Sequence, residues 1–345
     1  MKQVQHARNK AKLTPKQQEH VTTAARILNQ GGTVAFPTET VYGLGADVNN
    51  PIAVRKIYDI KQRPPDHPLI VHIGDISQLK YWAQAIPESA WKLAYTFWPG
   101  PLTLILQRSH QVPDSVTGGQ NTVGIRIPAH PIALALLSEL GSGKALAAPS
   151  ANRFGRISPT TALHVQQELG EKVDMILEGG ACEVGLESTI VCFDKQLVKI
   201  LRPGGITGPE LEMALNLPVN LASATKQTMR APGLLPAHYA PVTPLRIYPA
   251  EQIWQQAIIL TAQKFRILVM TWSNADKSQF PDKTIEHCAM PADPIAYGKQ
   301  LYARLRQFDE EAFDYLLIES PPSHPSWLAI ADRLQRASNH SSNKY

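Results

Sequence analysis

The chain has 345 residues, 43% hydrophobic and 18% charged, which excludes a disordered polypeptide and leaves room for two domains with separate cores. Its formal charge of +5 is not spread over a nucleic-acid-binding face: Lys2, Arg8, Lys10, Lys12 and Lys16 all precede the first acid, Glu19, and the remaining 29 basic residues balance 29 acidic ones. Three cysteines without a CxxC pair argue against a disulfide framework or a zinc site, and no apolar run approaches the roughly 20 residues of a membrane span, so a cytoplasmic protein without membrane attachment is expected.

Residues 1–16 read as a solvated basic tail, with weak RNA contact as the alternative. Thr14-Pro15 then opens a helix in which Val21, Ala24, Ala25 and Leu28 recur at helical spacing, and Gly31-Gly32 stops it. A strand from Thr33 to Phe36 runs into the polar turn Pro37-Thr38-Glu39-Thr40. Asn50-Pro51 caps a helix whose buried face is expected at Ile52, Ile57 and Ile60, and Lys61-Gln62-Arg63 follows in a Pro-rich loop ahead of the strand ending at His72. Helices are expected at 76–85 and 89–97, and strands at 102–106 and 122–127. The last alternates Val123, Ile125 and Ile127 inward with Thr122, Gly124 and Arg126 on an exposed face.

Beyond a helix at 132–140, the strand 145–148 ends in Pro149-Ser150-Ala151-Asn152. Ser158-Pro159-Thr160-Thr161 reads as a capped helix start, and short strands follow at 174–177, 188–193 and 197–201. Such intermixing predicts a mixed, twisted α/β sheet for residues 17–212. Residues 213–244, rich in proline, read as a linker that closes over the site. Residues 245–345 alternate strand and helix again: strands at 245–248, 266–270 and 315–318, helices at 251–261, 295–308 and 327–336. That pattern predicts a smaller Rossmann-like, doubly wound domain.

Lys61, Arg63, Arg126 and Arg202 are four cations near strand ends, a set suited to carboxylates and phosphates, although any one alone reads as a surface charge. Ser150, Asn152, Ser158 and Thr160 are turn formers or a phosphate cradle, and His72 and Tyr239 are packing residues or ligand contacts. No P-loop is present, because Gly141-Ser142-Gly143-Lys144 lacks its spacing. No Gly-x-Ser-x-Gly elbow marks a serine nucleophile.

In order and spacing, Phe36-Pro37-Thr38-Glu39-Thr40-Val41-Tyr42-Gly43-Leu44-Gly45, Lys61-x-Arg63, Pro68-Leu69-Ile70-Val71-His72, Ser150-x-Asn152, Ser158-Pro159-Thr160, Glu187-Ser188-Thr189-Ile190-Val191, Arg202-Pro203-Gly204 and His238-Tyr239-Ala240-Pro241 resemble the YrdC/Sua5 family in its two-domain form. The resemblance implies a nucleotidyltransferase that makes L-threonylcarbamoyladenylate from L-threonine, bicarbonate or CO2, and ATP. Its product feeds the machinery that places t6A at position 37 of ANN-decoding tRNAs. It further implies threonine contacts at Thr40, His72, Arg126 and Ser188, and ATP contacts at Arg63, His67, Thr122, Ala148, Ser150, Ser158, Arg202 and Tyr239. Lys61 and Asn152 complete a catalytic set with Arg63 and Ser150. Mg2+ is expected with ATP, without a dedicated protein site. An RNA-binding module and an adenylate-forming enzyme for another amino acid are the competing readings.

Overall fold

A computed structural model describes residues 13–194, 197–222, 230–235, 238–273 and 285–342. The basic tail up to residue 12 and parts of the expected linker lie outside the described residues. The N-terminal strands are β1 (Val34–Phe36), β2 (Gly43–Asp47), β3 (Ile70–His72), β4 (Ala83–Gln84), β5 (Leu102–Arg108), β6 (Thr122–Arg126), β7 (Leu146–Ala147), β8 (Met175–Ile176), β9 (Thr189–Asp194), β10 (Leu197–Arg202) and β11 (Val219–Leu221). They form one sheet in the order β11-β10-β9-β5-β6-β3-β7-β2-β1-β8, with β4 paired to β5. The pairing is mixed: β3/β6 and β5/β9 are parallel, while β5/β6, β3/β7 and β9/β10 are antiparallel.

Local chemistry explains the helix starts. Thr14 and Gln17 form a reciprocal capping box ahead of the helix Pro15–Asn29, and the Asn50 side chain accepts from the amides of Ile52 and Ala53 at the head of Pro51–Lys61. Apolar side chains then divide by strand parity. Val71, Leu104, Leu106, Val123 and Ile125 enter the main core with Val54, Ile57, Leu93 and Leu211 from helices. On the other face, Val34, Phe36, Leu146 and Ala148 pack under Val21, Leu28, Ala133 and Leu136. Ile70, His72, Gly124 and Arg126 occupy the alternate positions of β3 and β6, facing away from the main core.

Several expectations need correction. Ile52 is 77% exposed, and the buried face of its helix is Ala53, Val54, Ile57, Tyr58 and Lys61, because apolarity alone does not set helical phase. Residues 76–85 form a 3-10 turn, a four-residue helix and β4, not one helix. Arg126 is not on an exposed face: it is 4% exposed, covered by the turn after β1. The cap of the helix Ala162–Leu169 is Thr161, so Ser158 has no capping role. β2, β11, the helix Gly208–Leu215 and the strand at 286–289 went unrecognised; β2 reads as Gly-Leu-Gly-Ala-Asp, poor in β-branched residues.

The C-terminal sheet contains β12 (Leu245–Tyr248), β13 (Ile267–Thr271), β14 (Glu286–Ala289) and β15 (Tyr315–Glu319), all parallel, in the order β12-β15-β13-β14. Ile267, Val269, Tyr315 and Leu317 meet the helix Ala250–Ala262 on one face. Leu268, Met270, Leu316 and Ile318 meet the helices Pro294–Glu310 and Leu328–Ser342 on the other. This doubly wound layering sets two of its helices against the N-terminal domain: a Cβ on Gly185 would lie 2.6 Å from the Lys299 backbone.

Candidate active site

The turn after β1 is locked by its own hydroxyls. Thr38 Oγ1 accepts from the amides of Thr40 and Val41 and donates to the Val41 carbonyl at 2.6 Å. The Thr40 hydroxyl must then donate to Thr38 at 2.8 Å and accept from Arg126 Nη1 at 2.9 Å. Arg126 also pairs with Glu39 at 2.6 Å and donates Nε to the Gly100 carbonyl, while the other Glu39 oxygen accepts from the Ala129 amide. Nε and one Nη1 hydrogen of Arg126 are thereby donated, while Nη2 makes an ion pair but no hydrogen bond with Glu39, so N–H groups on Nη1 and Nη2 remain for a ligand.

β3 and β6 run parallel with His72 opposite Arg126, so both side chains reach the same place. Burial, then the neighbouring Arg126 charge, pushes His72 down to about 3, and its ring is neutral at physiological pH. From the head of β9, Ser188 Oγ lies 2.8 Å from Thr103 Oγ1 and accepts from Arg202, whose guanidinium also holds the Ser188 and Pro232 carbonyls. Arg63 donates to the Pro68 carbonyl and lies 5.4 Å from the Phe154 ring; burial draws it down to about 10, so it remains a cation at neutral pH.

These groups enclose a cavity of about 50 Å³, lined by Thr40, Arg63, Ile70, His72, Arg126, Ala148, Ser150, Glu187, Ser188, Arg202, Gly233, His238 and Tyr239 among others. At ~12 Å³ per water this accommodates roughly four waters, not a nucleotide. The linker forms its roof: Tyr239 adopts left-handed backbone (φ 60°), and His238 and Tyr239 are 6% and 1% exposed. Burial holds the Tyr239 phenol up and, with Arg63, Lys61 and Arg202 adding to it, holds His238 far below the usual imidazole range. Among the described residues, buried Arg63 Nε, Arg126 Nη2, His238 Nδ1 and the Tyr239 hydroxyl have no hydrogen-bond partner, an unusual concentration of unsatisfied polar atoms around one cavity.

Five expected site residues stand off the cavity lining. The buried Lys61 ammonium is directed at the carbonyls of Ser150 (2.6 Å) and Asn152, and burial lowers its pKa. Asn152 ties its amide nitrogen to the carbonyls of Arg153 and Arg156. Ser158 donates to Glu187 at 2.5 Å. His67 packs edge-on against Phe154, and Thr122 begins β6 about 13 Å along the strand from Arg126.

Sequence reasoning did not assign Glu39, Glu187, His238, Tyr302 or Arg333 to the site. Glu39, Glu187 and His238 sat within the matched motifs, where their flanking hydroxyls and tyrosine drew attention instead. Tyr302 and Arg333 carry no local signal. Glu187, which lines the cavity, and Glu39, which sits behind Arg126, are each taken by an arginine, a donor set that does not fit a protein-held cation. Among the described residues no cluster of three or more His, Cys, Asp or Glu side chains could hold a metal, and no helix is long and apolar enough to cross a membrane.

Residues 26–204 match the Sua5/YciO/YrdC family model, described as telomere recombination, and residues 206–339 match the model described as threonylcarbamoyl-AMP synthase, C-terminal domain. The threonylcarbamoyl-AMP synthase of Bacillus subtilis is 41% identical over 322 residues, covering 92% of both chains. That of Pyrococcus abyssi is 38% identical, covering 93% of this chain and 94% of the relative. The crystal structure of P. abyssi Sua5 complexed with L-threonine superposes with a TM-score of 0.85 at 35% identity, over 94% of this chain and 95% of that one. A site of three arginines under a linker roof, in a chain matched along both domains, accords with these likenesses: the chain belongs to the Sua5/YciO/YrdC family, in its two-domain form.

Proposed function

We propose that this protein is an L-threonylcarbamoyladenylate synthase, joining L-threonine, bicarbonate or CO2, and ATP with release of pyrophosphate. The observation that carries the reading is Arg126, held by Glu39, Thr40 and Gly100 with N–H groups on Nη1 and Nη2 to spare, facing the same cavity as Arg63 and Arg202. A fork of two parallel donors suits a carboxylate, and the other two guanidiniums suit phosphates.

In this mechanism Arg126 holds the threonine carboxylate, with Thr40, Ser188 and the neutral His72 around the amino acid. The threonine nitrogen attacks CO2, forming a C–N bond and releasing an amine proton. A carbamate oxygen then attacks the α-phosphorus of ATP, and the bond to the β-phosphate oxygen breaks so that pyrophosphate leaves with the electron pair. Arg63 and Arg202 neutralise charge that develops on the phosphates, with Ser150 and the Ala148 backbone alongside. Lys61 acts by bracing the Ser150–Asn152 loop through its carbonyls. His67, Thr122 and Ser158 belong to the outer nucleotide contacts. Positioning and charge neutralisation in a water-poor site supply the acceleration, since no nucleophilic side chain is required. Mg2+ arrives as part of the nucleotide substrate. The roof of Tyr239 must withdraw to admit ATP and close again over the carbamate, which decomposes in water.

The proposal extends to a cytoplasmic enzyme whose product is passed to a tRNA threonylcarbamoyl-transfer machinery for t6A37, with the basic tail as a weak RNA contact. Pyrophosphate release is followed with ATP, bicarbonate and each amino acid in turn. Release that requires both L-threonine and bicarbonate is the expected result. Release indifferent to either, or triggered equally by other amino acids, overturns the assignment.

A further inference from the structure

The helices Pro294–Glu310 and Leu328–Ser342 supply two side chains that reach the back of the site. Arg333, with 0% side-chain exposure, donates Nε to Glu187 Oε2 at 2.7 Å and Nη2 to the Pro203 carbonyl at 2.9 Å, and pairs with Asp332 at 2.6 Å. The Tyr302 hydroxyl donates to the same Glu187 oxygen at 3.0 Å. Both also flank the roof: the Arg333 guanidinium lies 4.8 Å from the Tyr239 ring centroid, and the Tyr302 ring stacks on Tyr239 at 6.0 Å and 23°.

Glu187 lines the cavity and immediately precedes Ser188, whose hydroxyl and carbonyl receive Arg202. Pro203 immediately follows Arg202. One guanidinium therefore spans the head of β9, the end of β10 and the linker aromatic. A buried carboxylate is tolerable only when paired and hydrogen-bonded. Among the described residues, two of the three side-chain donors to Glu187 come from the C-terminal domain, Ser158 being the third. Tyr239 is held in left-handed backbone, a conformation that persists in a non-glycine residue only when its surroundings over-determine it.

From this geometry we infer that Arg333 and Tyr302 are positioning residues for the reaction, holding Glu187 and the Tyr239 ring so that the linker closes in register over the nucleotide end of the cavity. The C-terminal domain thus acts on the site through two side chains rather than by steric cover alone. The inference rests on the synthase reading for its kinetic consequence, but its structural core does not depend on which reaction occurs.

Hydrogen exchange is measured on the full chain, unmodified and as Arg333→Lys and Tyr302→Leu. Lysine keeps the charge but loses the flat face on Tyr239, and leucine loses the stack. The amides of His238 and Ala240, bonded to the Arg336 and Gly155 carbonyls, are expected to exchange about tenfold faster in both variants, with β5 and β6 unchanged. In pyrophosphate release the KM for ATP should rise about tenfold. The Kd for L-threonine should stay within about twofold, a split that general loss of structure would not produce. Unchanged exchange at His238 and Ala240 overturns the inference, as does an equal weakening of ATP and threonine. Should Tyr302→Leu not fold, Arg333→Lys decides alone. An unmodified chain without threonine-dependent release overturns the synthase reading instead, and the exchange result then stands by itself.

Discussion

Arg126 is the residue on which the charge pattern of the site turns, and its pairing with Glu39 makes two separable predictions. Arg126→Lys keeps the charge but loses the fork, so kcat/KM for L-threonine should fall about 10²-fold in steady-state assays, the cost of two charge-assisted hydrogen bonds, while the KM for ATP stays close to that of the unmodified chain. Arg126→Ala leaves Glu39 buried and unpaired, which should cost about 3–5 kcal/mol in urea unfolding, and adding Glu39→Gln should recover part of that loss. If Arg126→Ala and the double variant were equally stable, the ion pair would not be the source of the cost. That Arg126 lies on the strand face opposite the core residues Val123 and Ile125 was legible from alternation along its strand. Its burial was not, because the covering turn is 86 residues away in sequence.

At the scale of elements, the site depends on where β9 begins. Gly204 makes this testable: a Cβ there would lie 2.3 Å from the Thr189 amide nitrogen and 2.4 Å from the Glu187 carbonyl oxygen, both backbone atoms that cannot swing aside. Gly204→Ala should therefore push the head of β9 away and raise the Kd for L-threonine about tenfold or more by calorimetry, with an overpacking cost of about 1–3 kcal/mol. Gly208→Ala is the internal contrast, since its Cβ would meet only Ile200 Cδ1 at an ordinary 3.6 Å; a change below about 1 kcal/mol is expected. Equal behaviour of the two variants would refute the steric account. Elements with strong local chemistry, such as the capped helices Pro15–Asn29 and Pro51–Lys61, were readable from sequence. β2 and β11 were not, because they are strands by virtue of their neighbours: among the described residues β11 pairs only with β10 and leaves Asn220 and Leu221 exposed.

For the whole molecule, buried neutral histidines tie stability to pH. His72 is held at about 3 by burial and by Arg126, and His238 is also held far below the usual 6.5. The unfolded chain takes up protons at these sites below about pH 6.5 while the folded chain does not, so stability falls with decreasing pH from there toward pH 3, at about 1.4 kcal/mol per pH unit per histidine. Urea unfolding at pH 7.5, 6 and 5 should show this slope, and His72→Gln should remove one proton's share of it. A variant that kept the full slope would place the proton uptake elsewhere.

Sequence by itself determined the inventory: cations spaced near strand ends, hydroxyl-bearing turns, helix caps and the motif order that resembles one family. These are local properties, set by residue chemistry within a few positions. Only the tertiary structure decided which of them share a cavity, that Lys61 braces a loop from behind, and that Glu187 is completed by Arg333, 146 residues onward. Partners so distant meet through the packing of one domain on another, which depends on the summed burial of many side chains and leaves no mark at either position.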